Sequence, residues 1–342
     1  MTSTDDDAAA PDGGAAAETG ETPSPFDRVS ETDVSRLDRY RRTFDAFVRA
    51  PLMIALDDWR ARIGLAVLTL YLLMGTVGVV LYPVPHPHDG PRLVLPLQTM
   101  QYPLGTDGLG QPILAQVVHA TPAMLKMILA GAVFTTTMAT VVGTVGGYKG
   151  GTVDRVLTVF TDVMMTIPGL PLVIVIAVIL EPRSPLVVGV VLTINAWAGL
   201  ARTIRSQVLT IRDESYVEAA RVMGAPTSLI LAGDVLPNLM PYIAINFVNA
   251  ARQVIFASVG LYFLGILPFT NLNWGVMMNL AYSTAGALYT LDTAHWLLIP
   301  MFTIILLSFG FIMFAQGTDR IFNPRVRARH AKTIADEDGG YE

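Results

Sequence analysis

The 342-residue sequence contains no cysteine, and this absence alone excludes several classes of protein. Without cysteine there is no disulfide scaffold, no thiolate metal site, no cysteine nucleophile and no iron–sulfur centre. Charged side chains are also scarce: they make up 15% of the residues, whereas soluble domains have about 25%. No basic stripe with interleaved aromatic residues is present, so we do not expect nucleic acid as a partner.

The common signatures of hydrolysis and nucleotide binding are absent as well. The sequence has no HExxH or GxSxG motif and no paired carboxylates within an apolar run, so an intramembrane enzyme lacks a candidate nucleophile or metal set. The glycine-rich segment 143–150 has no Gly-Lys-Ser/Thr ending, and close helix packing through small residues accounts for it better than a phosphate loop. We therefore expect no ATP hydrolysis by this chain and no bound cofactor.

Apolar residues are abundant, at 52% of the chain with a mean hydropathy of +0.49. A membrane-spanning helix needs about 20 mostly apolar residues. The fourth of the candidate stretches is short, and Pro168 and Pro171 interrupt the third. The composition predicts an all-α integral membrane protein with about six transmembrane helices in contact with lipid. The predicted spans are 63–82, 127–147, 156–180, 186–201, 240–266 and 296–316.

The basic residues predict the orientation of these spans. Placing both termini and segment 202–238 in the cytoplasm puts 19 of the 23 Lys and Arg residues inside, as the positive-inside rule requires. Residues 1–50 are acidic and have little to bury, so we expect a largely disordered cytoplasmic tail and no secretory signal. Segment 51–122 then holds the first span and a proline-rich external loop, and 326–342 forms a cytoplasmic C-terminal tail.

The cytoplasmic segment 202–238 is too polar to enter the bilayer and has its own helix signals. Asp213, Glu214 and Ser215 favour a helix start, and Gly224 is the residue type that ends helices in a left-handed conformation. Pro226 suits the first turn of a second helix, and the pair 236–237 would close the unit before the fifth span. Two short helices meeting at a bend could dock into a groove on a soluble partner.

This segment resembles the EAA loop of binding-protein-dependent ABC importer permeases. The resemblance extends from about residue 102 to residue 324, and it favours the branch that imports dipeptides, oligopeptides or nickel. Segment 102–114, YPLGTDGLGQPIL, is similar to the HPLGTDxLGRDxL pattern of that branch. The EAA match itself consists of Glu218, Ala219, Ala220, Gly224, Leu236 and Pro237. Other matching residues are Asp162, Pro168, Trp197, Ala201, Arg202, Arg205, Leu209, Phe263, Leu264, Gly265, Trp274 and Gly275.

The sequence departs from the family pattern at several positions. Gln111-Pro112 replaces the usual Arg-Asp pair, and Asp234 lies where the pattern has an apolar residue or histidine. Ser258 occupies a position that is often acidic, and Arg252 is an added charge. These differences bear more on the identity of the substrate than on the transport mechanism. Dipeptides, oligopeptides, nickel and oligosaccharides therefore all stay open as substrates.

The resemblance implies a type I ABC importer arrangement with a permease core at 123–325 in a prokaryotic cell membrane. It further implies a second permease subunit, expected here to form a heterodimer, two cytoplasmic ATPases and an extracellular substrate-binding protein. The EAA residues would couple the permease to the ATPases. The alternative function is a secondary transporter driven by an ion gradient, which predicts an internal repeat and a discontinuous helix with ion ligands at the midplane. No convincing repeat is evident.

Polar residues within the spans are the candidates for the translocation pathway. They are Asn195, Asn246, Asn249, Arg252 and Ser258. A lone charge in a span costs about 2.5 to 3.5 kcal/mol, so Arg252 and Asp162 should face protein or water; for Asp162 we favour a structural role at the inner end of the third span.

A metal site was considered in the external loop, where His86, His88 and Asp89 lie close in sequence. Pro85 and Pro87 favour an extended, solvated backbone there. We therefore predict no metal site.

Overall fold

The computed structural model describes residues 58–269 and 272–321, and the predicted tails at 1–50 and 326–342 lie outside these ranges. Within them the backbone is helical, with no β-strand beyond an isolated bridge between Thr106 and Pro112. In chain order we name the helices α1 Trp59–Leu81, α2 Ile113–Lys149, α3 Gly151–Thr166, α4 Gly169–Leu180, α5 Pro185–Leu192, α6 Trp197–Ile211, α7 Ser215–Val222, α8 Thr227–Phe263, α9 Trp274–Ala285 and α10 Leu291–Ile321.

Four of these helices, α1, α2, α8 and α10, are long and apolar enough to cross a membrane by themselves. The pairs α3–α4 and α5–α6 also qualify if each bent pair is one span, which gives up to six spans and agrees with the predicted number. The first pair bends by 85° at Ile167, which is extended because it precedes Pro168. The second pair bends by 61° at residues 193–196. Both predicted weak spans are therefore broken helices.

Two helices occupy parts of the segments that were predicted to be external loops. Helix α2 begins at Ile113, so the loop that follows α1 ends about ten residues earlier than the predicted boundary at 122. Pro122 lies inside α2, because a proline removes only one helical hydrogen bond and the apolar run continues on both sides of it. Helix α9 occupies part of the segment predicted as the last external loop.

Small residues bring α2 into close contact with α6. A Cβ atom on Gly143 would lie 2.7 Å from the carbonyl oxygen of Ala201, and one on Gly147 would lie 2.9 Å from that of Arg205. Neither position has room for a side chain, so the glycine-rich segment packs helices together as predicted. This contact holds the C-terminal half of α2 against α6, which leads into segment 212–238.

Candidate coupling segment and pathway face

The coupling helix α7 ends as the sequence predicted. Gly224 has φ of +80°, in the left-handed region that glycine adopts without strain. Its N–H donates to the carbonyl of Arg221 at 3.0 Å, and the N–H of Ala225 donates to that of Ala220 at 3.1 Å. This pair of hydrogen bonds is the Schellman motif, which reverses the chain direction within two residues. The bend between the two helices of the segment is therefore a defined turn.

The inner side of α7 is attached to the membrane domain by apolar packing. Val217 is fully buried, and Arg221 lies over the ring of Tyr148 with its guanidinium carbon 5.7 Å from the ring centroid. This second core is distinct from the main core around α2 and α8, and it includes Trp197, Ile204, Val208, Val217, Ile230, Val235 and Leu239. The coupling segment therefore moves with α2, α6 and α8.

The outer side of α7 has the opposite character. Glu218 and Ala219 are exposed, and the next turn presents Val222 and Met223, which are 82% and 80% exposed. Leu229, after the bend, is also exposed. Exposed apolar side chains grouped around one acidic residue form a surface suited to a protein partner. We call this surface, made of Glu218, Ala219, Val222, Met223 and Leu229, the docking face.

The second half of the segment differs from the sequence prediction. Pro226 is the N-cap of the following helix and does not lie in its first turn. Leu236 and Pro237 do not close the unit, because a π turn at Leu231–Val235 carries the helix without a break into the long span α8. The prediction of a short, separate second helix was wrong. Leu229, at one end of the docking face, thus lies on the same continuous helix as the span.

A polar contact at the start of α7 strengthens this connection. The side-chain amide of Asn238 donates to the hydroxyl of Tyr216 at 3.1 Å and to the carbonyl of Asp234 at 2.7 Å. Burial raises the pKa of the Tyr216 phenol, and the negative charges of Glu214 and Asp234 raise it further. The phenol is therefore neutral at physiological pH and serves as the acceptor that joins α7 to α8.

Ion pairs connect the two broken spans through α3 and α6. Arg205 binds both carboxylate oxygens of Asp154, with Nη2 and Oδ2 2.6 Å apart. Arg202 pairs with Asp162 at 2.5 Å, which fits the structural role expected for this aspartate. Bidentate Arg–carboxylate pairs fix relative orientation as well as distance. These contacts hold α3 against α6.

A polar stripe runs along the exposed side of α8. Asn249 and Gln253 are both exposed, and Asn246 and Arg252 are half-buried beside them. The opposite side of the helix, which includes Val254, is buried against the rest of the subunit. Gln253 was missed by the sequence analysis, although its spacing of four residues from Asn249 places both on one helix face. We call Asn246, Asn249, Arg252 and Gln253 the polar stripe.

The other two candidate pathway residues lie elsewhere. Ser258 is fully buried, and its hydroxyl donates to the carbonyl of Ile255 at 2.9 Å, so it packs within the subunit. Asn195 lies in the break between α5 and α6, and its side-chain amide donates to the carbonyl of Ile167 in the break of the neighbouring pair at 3.2 Å. Asn195 therefore joins the two helix breaks, and its side-chain N–H group already has a backbone carbonyl as its hydrogen-bond acceptor.

The segment that matches the HPLGTDxLGRDxL pattern folds around one buried carboxylate. Asp107 accepts hydrogen bonds from the backbone N–H groups of Leu109 and Gln111 and from the side chain of Gln116, each at 2.8 Å. Only the backbone of Gln111 contacts this aspartate, so the departure from Arg at this position leaves the turn intact. Asp107 attaches the external loop to the start of α2.

The external histidines do not converge on a metal site. A carboxylate oxygen of Asp89 accepts the backbone N–H of His86 at 2.7 Å, and the His88 ring lies 3.4 Å from the guanidinium of Arg92. Among the residues placed by the structure, no group of three His, Asp or Glu side chains is arranged to hold a metal ion.

These features define a multi-pass helical membrane protein whose docking face is continuous with a spanning helix. This is the architecture of a transporter membrane subunit. Residues 139–328 match the family described as "Binding-protein-dependent transport system inner membrane component", and the chain belongs to this family.

Curated relatives extend the similarity over most of the chain. The dipeptide transport system permease protein DppC of Bacillus subtilis is 30% identical over 302 residues, which cover 84% of this chain and 90% of the relative. The oligopeptide transport system permease protein OppC of the same organism is 28% identical, with 65% of this chain and 72% of the relative covered. DppC of Alkalihalophilus pseudofirmus is 23% identical over 90% of this chain and 97% of the relative.

The chain is therefore the permease subunit of an ATP-driven ABC importer with the type I arrangement. Such permeases work with ATPases and with a substrate-binding protein, and the separate ATPases hydrolyse ATP. The alternative of an ion-driven secondary transporter has no support, although both broken spans would have suited it.

Proposed function

We propose that this permease imports dipeptides or oligopeptides. The support is the similarity to relatives named for dipeptide and oligopeptide transport. Proteoliposomes that contain the complete importer and its binding protein should accumulate labelled dialanine or trialanine when ATP is supplied. Accumulation of nickel or an oligosaccharide, with neither peptide accumulated, would overturn the peptide assignment.

We further propose that Glu218, Ala219, Ala220, Gly224, Leu236 and Pro237 form the coupling element, with the docking face seated in a groove of an ATPase. The observation that carries this proposal is the two-sided character of α7. Its inner side is fixed by buried Val217, while Val222 and Met223 stay uncovered in the subunit. Burial of two such side chains stabilises an interface by several kcal/mol, about 1.5 to 3 kcal/mol for each.

The polar stripe is proposed to line the translocation pathway, at the boundary with a second permease subunit in a heterodimer. Amide and guanidinium groups are costly against lipid, so an exposed row of them on a spanning helix indicates contact with water or protein. Asn195 is proposed to stabilise the helices around the pathway without contacting the substrate, because its side-chain amide joins the two helix breaks.

Cysteine accessibility tests this placement, because the chain has no cysteine of its own. In the assembled importer, Asn249→Cys and Gln253→Cys are expected to react with a small water-soluble thiol reagent, and substrate or ATP should change the rate. Matched controls are Val254→Cys, which is buried on the opposite side of α8, and Phe302→Cys, which is exposed among apolar residues of α10. Equal reaction at all four positions would contradict the assignment of the pathway.

For orientation we propose that both termini and the docking face are cytoplasmic in a prokaryotic cell membrane, with the binding protein outside and two ATPases inside. The distribution of basic residues supports this. Thr152→Cys and Met100→Cys provide a matched test, since both residues are exposed in the subunit and lie outside the docking face. In intact cells an impermeant maleimide should label Met100→Cys and leave Thr152→Cys unlabelled. The reverse pattern would refute the orientation.

A further inference from the structure

Arg252 is a charged residue that has no acidic partner among the residues that the structure describes. Its Nε is buried without a hydrogen-bond acceptor, and within ranges 58–269 and 272–321 its guanidinium takes part in no ion pair. The arginines at positions 202, 205 and 212 each pair with an aspartate. Arg252 is thus unlike the arginines of α6, whose charges are compensated within the fold.

The position of Arg252 makes the missing partner significant. It lies 11 residues before Phe263, the last residue of α8, and a rise of 1.5 Å per residue places it about 16 Å from that end. With the fifth span placed at 240–266 as predicted, Arg252 lies near the middle of a hydrocarbon layer about 30 Å thick. An uncompensated charge at that depth is unfavourable, and a positive charge held there is typically retained for contact with an anionic group.

The neighbours of Arg252 on the polar stripe indicate what that group is. Asn249 and Gln253 flank it on the exposed side of α8 and carry both donors and acceptors, which suit the N–H and C=O groups of a peptide bond. The planar guanidinium suits a carboxylate, which it can bind through two parallel hydrogen bonds.

We propose that Arg252 is a subsite for the free C-terminal carboxylate of a peptide in transit, with Asn249 and Gln253 contacting the adjacent peptide bond. The inference rests on the proposed peptide import and deepens it. It assigns part of the substrate selection to the permease, at a position where the sequence departs from its family pattern. The ligand class is a short peptide with an ionised C-terminus.

The test compares import of trialanine and of trialanine amide by the complete importer with its binding protein. For Arg252→Gln we expect import of the free acid to fall about tenfold or more relative to wild type, since a charge-assisted hydrogen bond is lost. Import of the amide should change by less than about twofold. Comparing each substrate with its own wild-type rate removes any preference of the binding protein. Arg252→Lys, which keeps the charge without the planar fork, should lose less than Arg252→Gln.

Arg155→Gln is a matched control, because this exposed arginine of α3 lies outside the polar stripe. It should leave the ratio of acid to amide import unchanged. An equal loss of both substrates in Arg252→Gln, with the complex assembled, would overturn the proposal and indicate that Arg252 pairs with an acid of the second permease. Unchanged import of both would overturn it as well. If the wild-type complex imports neither peptide, the peptide assignment and the subsite fall together.

Discussion

Replacing Gly224 with valine is expected to abolish transport while leaving membrane insertion unchanged. Gly224 has φ of +80°, and a β-branched residue held there costs about 1 to 3 kcal/mol of local strain. A Cβ atom at this position would meet no atom within 4 Å, so the penalty comes from the backbone conformation and not from a clash at Cβ. Relief of the strain would open the Schellman turn and present α7 at a different angle from α8. The spans themselves are unaffected.

Transport and substrate-stimulated ATPase activity of the assembled importer measure this effect, and both should be lost in Gly224→Val. Gly224→Asn is the informative control, because asparagine tolerates the left-handed region better than other non-glycine residues and should retain part of the activity. Thr227→Ser, beyond the bend, should be nearly silent. Wild-type transport by Gly224→Val in a fully assembled complex would mean that this turn does not couple ATP hydrolysis to transport.

The parts of this fold that the sequence predicts are those governed by local chemistry. The long apolar stretches of α1, α2 and α10 could be recognised because a helix in lipid must be continuous and apolar. The end of α7 could be placed because glycine followed by proline leaves few backbone conformations. The close helix packing of segment 143–150 was predictable from its small residues, and the structure shows that the neighbouring helix is α6.

The features that could not be predicted depend on tertiary contacts. Pro237 suggested a helix boundary, but the π turn directly before it accommodates the proline within the helix. The packing of Val235 and Leu239 in the second core keeps the helix continuous. Nothing in the sequence indicates that Asn195 contacts a backbone carbonyl of another broken helix. Gln253 was missed because it directly follows Arg252, which is already conspicuous as a charge, and only the spacing of four residues places Gln253 on the same helix face as Asn249. The conformation or exposure of each of these residues depends on how the helices pack together.

Replacing Val222 with aspartate is expected to prevent productive binding of the ATPase while the permease stays folded. Val222 is 82% exposed in the subunit, so the free chain loses little packing. An acid in the last turn of α7 is disfavoured by the helix dipole by about 0.3 to 1 kcal/mol. In the complex with the ATPase, the new carboxylate would be removed from water. It would also lie close to the negative charge of Glu218, which is one turn earlier in α7. Burying this carboxylate without a partner costs about 2 kcal/mol or more. This cost corresponds to at least about a thirtyfold loss of affinity for the ATPase.

Co-purification of the ATPases with the tagged permease pair, together with transport, measures the change. Thr152→Asp is the matched control, because Thr152 is exposed and lies in the first turn of α3, where an acidic residue is favoured by the helix dipole. Val217→Asp separates docking from folding: it buries a charge in the second core and should destabilise the subunit itself, whereas Val222→Asp should not. If Val222→Asp retains the ATPases and full transport, the partner binds elsewhere, because a second carboxylate next to Glu218 would disfavour binding at the docking face.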